Sequence, residues 1–173
     1  MSNHKVVEIP VFLWQNRITE GGGVMKISTK GRYALRLMTD IADQGDEGFV
    51  SLKDAAERQG ISMKYLEQIA GMLAKAGLLQ SGRGAQGGYR LTRSPEEYSV
   101  GDILRLTEGD LAPVACLAGA ENLCDRCGEC STLDFWTGLY GAVNAYIDRW
   151  TLADLLEEQS RKRNFRKGKD GSN

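Results

Sequence analysis

Four cysteines stand close together in the second half of the chain, and the chain has no others. They lie within 15 residues, in the order Cys116-x7-Cys124-x2-Cys127-x2-Cys130. The segment around them, residues 112 to 131, contains proline and glycine and few residues that would form a hydrophobic core. A loop of about 20 residues without secondary structure of its own usually has a function. We therefore take these cysteines as the candidate chemical site.

Three chemistries suit this spacing of thiols. Short x2 spans let consecutive sulfurs converge on one iron–sulfur cluster, as they do in bacterial ferredoxins. Zinc also accepts four thiolates, although its structural sites commonly use two separated pairs. A thiol switch would need only two of the cysteines. The spacing favours the cluster and leaves the other two chemistries open.

The elements ahead of this loop predict a DNA-binding head between Ser51 and Arg93. A first helix begins after a capping Ser51 and ends at Gly60, and a second begins after Ser62 and stops at Gly77. Each helix has an apolar stripe at helical spacing. Two short strands, residues 78–80 and 89–91, then flank a glycine-rich turn at 81–88. This order predicts a winged helix-turn-helix, in a fold that is mainly α with a small β-wing.

Several polar residues of this head are placed to contact DNA. The start of the second helix is where a recognition helix presents side chains to base edges in the major groove. The wing tip offers a charge and a closely approaching backbone to phosphates, and the start of the preceding helix, 28–44, offers further charges. Taken singly, each residue also suits a solvated surface, but the combination favours DNA binding. The candidate contacts are Lys30, Arg32, Ser62, Lys64, Tyr65, Glu67, Gln68, Arg83 and Gly84.

The C-terminal part predicts a short helix, a long helix and a tail. A short helix begins after Ser99 and leads into the cysteine loop, so that residues 99–131 form one unit. Residues 132–159 form a long helix that begins at Thr132 and a last turn, Leu152 to Glu158, capped by Thr151; we expect this unit to mediate dimerisation, although its apolar stripe would also suit intrachain packing. The basic residues 160–173 have too little apolar content to fold, and we expect an unstructured tail. The stripe comprises Leu133, Trp136, Leu139 or Tyr140, Val143, Ile147 and Trp150.

The first 24 residues do not share the pattern of the rest. They show no sustained apolar periodicity, and they end with three glycines and a valine, just before Met25. We expect residues 1–24 to be a non-native or disordered leader and residues 25–98 to form the DNA-binding domain. The rival interpretation is a flexible arm.

The composition and the distribution of charge limit which classes of function suit this chain. Of 173 residues 42% are hydrophobic, and the net charge is −1. Residues 25–100 have 11 Lys and Arg against 9 Asp and Glu, residues 101–160 have 3 against 11, and residues 161–173 have 6 against 1. DNA binding is therefore expected in the first part, and the basic tail could add nonspecific attraction. No apolar run approaches the roughly 20 residues of a membrane span, no secretory signal is present, and no phosphate loop or catalytic acid pair is evident. We expect a cytoplasmic protein that is not an enzyme.

Two segments carry a specific resemblance to a known family. ISTKGRYALRLM (27–38) and SMKYLEQIAGMLAKAGLLQSGRGAQGGYRL (62–91), followed by a cysteine-bearing loop, resemble the Rrf-two family of bacterial transcriptional regulators. Its members include IscR-, NsrR- and CymR-like proteins. The resemblance covers about residues 25 to 158. It implies a homodimer that binds double-stranded operator DNA through the head.

The resemblance also implies a set of cluster ligands. Cys116, Cys124 and Cys130 match the three cysteines that hold an iron–sulfur cluster in IscR- and NsrR-like members, with x5 between the second and third. The fourth ligand departs from the family, because Leu133 replaces the IscR-like histidine and Arg32 the NsrR-like aspartate. The candidates for it are Cys127 first, and then Asp125, Glu129 or Asp134. The cluster is then a two-iron or a four-iron centre.

Together these observations predict a DNA-binding repressor controlled by an iron–sulfur cluster that senses cluster supply, redox state or nitric oxide. The alternative is a cluster-free repressor of cysteine metabolism that is controlled by its thiols or by a partner protein, as in CymR-like members. A more distant alternative is an iron–sulfur redox protein, which would not need the basic wing.

Overall fold

The computed structural model describes residues 27–44, 48–84, 87–119, 121–122 and 124–170, and the side chains of these residues up to 165. The expected leader 1–24 and Met25 lie outside the described residues. This described part of the chain is mainly helical with one two-stranded antiparallel sheet, which confirms the predicted fold class. Its elements are α1 (Thr29–Gln44), α2 (Leu52–Gln59), α3 (Met63–Lys75), β1 (Leu79–Gly82), β2 (Gly88–Leu91), α4 (Val100–Glu108), α5 (Leu133–Arg149) and α6 (Leu152–Asp170).

Helices α2 and α3 form where the caps in the sequence place them. The Ser51 hydroxyl accepts a hydrogen bond from the Asp54 amide, and Gly60 ends α2 with φ +62°, in the left-handed region. Helix α3 buries four apolar residues against α1 and leaves its other side in solvent. The shared core of these helices comprises Ala34, Leu37, Met38, Ile41, Ala55, Leu66, Ile69, Ala70 and Leu73.

A buried carboxylate fastens α2 to α1. Asp40 is only 5% exposed, and it accepts two hydrogen bonds from Arg58, at 3.0 and 2.7 Å, and one from Gln59, at 2.9 Å. Arg36 in turn donates to the side chain and the backbone carbonyl of Gln59. Because the carboxylate is paired and fully hydrogen-bonded, its burial is tolerated and the helix pair is held in one orientation.

The wing is joined to the head through Val50. Strands β1 and β2 pair with Leu79 opposite Leu91, and Val50 and Tyr89 exchange two backbone hydrogen bonds of 2.8 and 2.9 Å. Gly88 has φ +157°, and a Cβ there would lie 2.1 Å from the Val50 carbonyl oxygen. Only glycine allows this close approach, so the turn composition has a direct structural cause.

Tyr98 anchors the base of the wing. Its ring is fully buried, and its hydroxyl accepts from the backbone amides of Thr92 and Arg93, at 2.8 and 2.9 Å. The same hydroxyl donates to the Leu78 carbonyl at 3.0 Å. One side chain therefore satisfies backbone groups at the beginning and the end of the hairpin.

Replacement of Tyr98 by phenylalanine is expected to destabilise the protein by about 1–3 kcal/mol, because buried backbone groups lose their partner. Urea unfolding measures the loss. Tyr89→Phe is the matched control, since Tyr89 is a wing tyrosine whose ring is only half-buried. Equal free energies of unfolding for Tyr98→Phe and wild type would show that the hydroxyl does not secure the hairpin.

The predicted unit 132–159 is two helices, and the second begins after Thr151, where the sequence predicts a cap. α5 ends at Arg149, the backbone turns at Trp150 and Thr151, and α6 begins at Leu152. The turn is fixed because Val100 donates to the Trp150 carbonyl at 2.8 Å and Leu152 donates to the Tyr98 carbonyl at 3.0 Å. Leu152 is fully buried in the head core. Helix α5 packs against α4, whereas α6 returns to α1.

The expectation of an unstructured tail from residue 160 is wrong as far as Asp170, since α6 continues to that residue. Arg163 donates two hydrogen bonds, of 2.9 and 2.6 Å, to Asp43 at the end of α1. Arg161 pairs with Glu157 and Glu158 one turn earlier. Charge pairs at helical spacing and one long-range pair thus supply contacts that the low apolar content did not predict. Residues 171–173 lie outside the described residues.

The Asp43–Arg163 pair predicts a pH dependence. The hydrogen bond from Arg163 is the largest cause that holds the pKa of Asp43 below its usual value. A carboxyl with a lowered pKa stabilises the folded state above the usual aspartate range, and this contribution is lost as the pH falls through the lowered pKa. Asp43→Asn should therefore reduce the free energy of unfolding at pH 7, with the difference from wild type shrinking towards pH 3. A difference that is independent of pH would contradict this assignment.

Within the described part of the chain, no helix is both long enough and apolar enough to cross a lipid bilayer.

Candidate nucleic-acid interface and cysteine loop

The exposed side of α3 carries the predicted recognition residues. Ser62, Lys64, Glu67 and Gln68 are all exposed, opposite the buried stripe of the helix. The Ser62 side chain makes no capping hydrogen bond, whereas its carbonyl accepts from the amides of the first turn. The structure thus brings these four residues together on one polar surface at the N-terminal end of the helix.

Tyr65 occupies a different position from the other recognition residues. It is half-buried, and its ring meets that of Tyr33 edge-on, with 5.8 Å between centroids. Arg36 lies over the Tyr33 ring at 5.5 Å. Packing against α1 therefore fixes the Tyr65 ring, and only its half-exposed part is free to meet DNA.

Arg83 and Gly84 lie at the exposed tip of the wing. Gly84 has φ +96°, and its carbonyl accepts from the Gly87 amide at 2.9 Å, while residues 85–86 between them lie outside the described residues. Arg90 at the wing base is engaged otherwise, since it stacks on Phe49 at 4.9 Å and donates twice to Gln80. Within the described hairpin, Arg83 is therefore the arginine that no such contact holds in place.

The start of α1 is organised by a carboxylate that sequence reasoning missed. Glu108, the last residue of α4, accepts from the Ser28 hydroxyl at 2.7 Å and from the Gly31 amide at 3.0 Å. Burial opposes its charge, but these hydrogen bonds outweigh burial and lower its pKa. Nearby, Lys30 is half-buried and Arg32 is exposed, with its guanidinium donating to Thr29 at 3.0 Å. The charges expected to meet phosphate are therefore held on a capped helix end.

The cysteine loop is partly ordered by two short 3-10 turns, Ala115–Leu117 and Cys127–Glu129. Cys116 and Cys124 are half-buried, Cys127 and Cys130 are exposed, and none of the four forms a disulfide. The Cys130 sulfur lies 3.4 Å from the Thr132 hydroxyl, and hydrogen bonds from Thr132 lower the pKa of this thiol. The loop therefore presents four free thiols ahead of α5.

The donor set fits an iron–sulfur cluster in its chemistry, because thiolates are the ligands that such clusters use. Among the described residues, however, no three cysteine, histidine, aspartate or glutamate side chains come together as a ligand group. Of the other ligand candidates, Asp125, Glu129 and Asp134 are exposed beside the loop. Ligation would therefore require the loop to draw its sulfurs together. The cluster and its fourth ligand stay predictions.

Helix α5 has two apolar stripes, and the predicted one faces the protein itself. Ile147 and Trp150, at the C-terminal end of the predicted stripe, pack against a small cluster formed by Val100, Leu104 and Leu111. This end of the stripe therefore serves intrachain packing. The other stripe is open, and no residue of α5 is fully buried. It comprises Phe135 at 65% exposure, Leu139 at 38%, Ala142 and Tyr146 at 57%. Beside it runs an apolar groove of about 380 Å³.

A polar recognition helix and a basic wing on one small head define this chain as a winged-helix protein of the DNA-binding class. Residues 27–158 match the Rrf2 (Rrf-two) family, described as an iron-dependent transcriptional regulator. The chain belongs to the Rrf2 family of transcriptional regulators, and the resemblance seen in the sequence is confirmed.

Three similar proteins give the extent of the likeness. Protein rrf2 of Nitratidesulfovibrio vulgaris is 43% identical over 137 residues, which cover 79% of this chain and 90% of that protein. The solved structure of CymR, the global cysteine regulator of B. subtilis, has a TM-score of 0.65 at 38% identity and covers 78% of this chain and 98% of that one. T. potens IscR has a TM-score of 0.62 at 42% identity and covers 79% and 89%.

Proposed function

We propose that this protein is a cytoplasmic homodimeric repressor whose affinity for operator DNA is controlled by an iron–sulfur cluster in the cysteine loop. The observation that carries the proposal is the presence, on one chain, of an exposed recognition surface on α3 and four free thiols between that head and α5. The similarity to an IscR supports the cluster. The similarity to a CymR supports the alternative of a cluster-free regulator.

In this proposal the two heads of the dimer place their α3 helices in successive major grooves, about one helical turn apart. Lys64 and Gln68 donate to base edges or phosphates, while Arg83 reaches the adjacent minor groove. Glu67 has a different use. Because phosphates repel a carboxylate, Glu67 is not expected to bind the DNA backbone. It accepts a hydrogen bond from a cytosine amine instead, and so discriminates among operator sequences.

Contacts outside helix α3 contribute more to the affinity for DNA than to the choice of DNA sequence. Lys30 and Arg32 lie at the start of α1, where a charge meets phosphate without reading bases. Ser62 and Gly84 are exposed and suit hydrogen bonds from hydroxyl or amide to phosphate oxygens. Within α3, Tyr65 adds a half-exposed ring whose position is set by Tyr33.

Cys116, Cys124 and Cys130 would hold the cluster, with Cys127 as the first candidate for the fourth ligand. When bound, the cluster supplies a centre that responds to oxidation, iron supply or nitric oxide. The loop's own contribution is to hold these thiols, two half-buried and two exposed, near the start of α5. Convergence of the sulfurs would move loop segments that are joined to α4 and α5, and so change the spacing of the heads.

The direct test is anaerobic purification followed by a visible absorbance spectrum and by counts of iron, sulfide and zinc per chain. A coloured protein with matching iron and sulfide supports the cluster, and the iron count separates a two-iron from a four-iron centre. A colourless protein after anaerobic reconstitution overturns the cluster and favours the thiol or partner-controlled regulator, which keeps the DNA-binding head.

DNA recognition is tested with an operator selected from random duplexes. Arg83→Ala should weaken binding roughly tenfold or more on all sequences and reduce the salt slope by about two, because each of the two wings of the dimer loses one phosphate-neutralising charge. Glu67→Ala should instead relax discrimination at one base pair by about 1–3 kcal/mol. Both are measured by fluorescence anisotropy at several salt concentrations.

Arg161→Ala is the charge-matched control, since Arg161 is already paired with Glu157 and Glu158 on α6. Unchanged affinity and salt slope for Arg83→Ala would contradict the wing contact. Unchanged base preference for Glu67→Ala would contradict direct readout by that residue.

A further inference from the structure

One exposed carboxylate joins three separate segments around the first cysteine. Asp110 follows α4 by two residues, and its Oδ1 atom accepts from the Tyr140 hydroxyl at 2.7 Å and from the Ala112 amide at 2.9 Å. Its Oδ2 atom accepts from the Gly119 amide at 2.9 Å. Asp110 therefore connects the end of α4, the far side of the Cys116 segment and the middle of α5.

The hydrogen bonds close a small loop that contains Cys116. Residues 112 and 119 both donate to the same carboxylate, and the 3-10 turn Ala115–Leu117 lies between them. Gly119 has φ +101°, a left-handed conformation that turns its amide back towards Asp110. Cys116 thus sits in a segment whose two ends are held by one side chain.

Tyr140 is the link from this segment to α5. Its hydrogen bond is the largest cause that lowers the pKa of Asp110, and the same bond raises the pKa of Tyr140. At neutral pH the pair is therefore a carboxylate that accepts from a neutral phenol, a charge-assisted bond that is stronger than one between neutral groups. The pair is well formed although Asp110 is exposed.

We infer that Asp110 and Tyr140 are positioning residues that clasp the Cys116 segment to α5. Cys130 precedes the first residue of α5, Leu133, by three residues. The clasp holds the Cys116 segment to Tyr140, which lies seven residues and about 10 Å along the helix from Leu133. The two thiols are thereby tethered to different points of one rigid element. Any event that draws Cys116 and Cys130 together must pull on the clasp, and through Tyr140 on α5.

The hydrogen bonds of the clasp form without a cofactor. The inference that the clasp transmits movement of the loop to α5 during regulation rests on the proposed function. The test therefore uses the metal-free, reduced full-length chain. Each cysteine is labelled with N-ethylmaleimide, and its rate is followed by peptide mass spectrometry in wild type, Asp110→Asn and Tyr140→Phe. Thr137→Ala is the control, because it removes a hydroxyl from an exposed residue of the same helix that lies outside the open apolar stripe.

We expect Cys116 to react roughly threefold to tenfold faster in both clasp variants, because its segment loses hydrogen bonds that restrain it. Cys127 should react at its wild-type rate, and Thr137→Ala should match wild type throughout. Wild-type labelling of Cys116 in both variants would overturn the clasp, and so would equal acceleration of all four thiols. Failure of the cluster proposal would appear separately, as absence of iron and sulfide in reconstituted wild type.

Discussion

Replacing Cys116, Cys124 or Cys130 by alanine is expected to leave the protein without iron and sulfide and to abolish the difference in operator affinity between its anaerobic and oxidised forms. The reason is that thiolates are the soft donors of the loop, and with Cys127 as the fourth ligand no further cysteine is left to replace one of the three family-matched ligands. Operator affinity would be measured by anisotropy on anaerobically purified and air-oxidised samples.

Cys127→Ala separates the ligand hypotheses within the same experiment. If Cys127 is the fourth ligand, its variant should lose the cluster as the others do. If a carboxylate such as Asp125, Glu129 or Asp134 serves instead, Cys127→Ala should keep it. Folding is checked by circular dichroism, and because the loop lies outside the head core, the free energy of unfolding of the apo variants should stay within about 0.5 kcal/mol of wild type.

The regulatory step would be contradicted if the alanine variants bound the operator as the metal-loaded wild type does, in both redox states. Metal-free wild type that still changes affinity on oxidation would support the thiol switch instead. In that case the exposed Cys130, whose pKa is lowered by Thr132, is the first thiol to examine.

The head could be predicted from sequence because its signals are local. Ser51, Gly60 and Ser62 mark helix ends within a few residues of where the structure has them, and the closely spaced glycines mark the turn between the two wing strands. Such signals act between neighbours in the chain. They need no knowledge of what lies across the fold.

Long-range polar contacts could not be predicted in the same way. Glu108 caps α1 from 77 and 80 residues away, and Arg163 extends α6 by pairing with Asp43, 120 residues earlier. Asp110 likewise reaches Tyr140 across 30 residues. No periodicity or composition encodes these partners, because each depends on how the finished elements pack.

For the cysteines, the spacing identified the donors but did not determine their arrangement. Short x2 and x5 intervals are compatible with converging thiolates, yet the structure shows two thiols half-buried and two exposed, without a ligand group among the described residues. No disulfide joins the family-matched and extra cysteines. Metal binding by any of them would require the loop to rearrange.

A charge placed on the open stripe of α5 is expected to convert the protein to a monomer. Leu139→Asp would put a carboxylate among Phe135, Ala142 and Tyr146, beside the apolar groove, where a second copy would have to desolvate it. Such a contiguous exposed apolar surface is characteristic of a protein–protein interface. Mass would be measured by sedimentation or by size-exclusion chromatography with light scattering.

Loss of the dimer should in turn weaken operator binding roughly a hundredfold or more, because two linked heads gain from effective concentration and a single head does not. Thr137→Asp is the matched control: it introduces the same charge at an exposed position of α5 that lies about 200° around the helix from Leu139. Thr137→Asp should remain dimeric and bind as wild type. A Leu139→Asp protein that stays dimeric would place the interface elsewhere, and a monomer that binds the operator with full affinity would show that one head suffices.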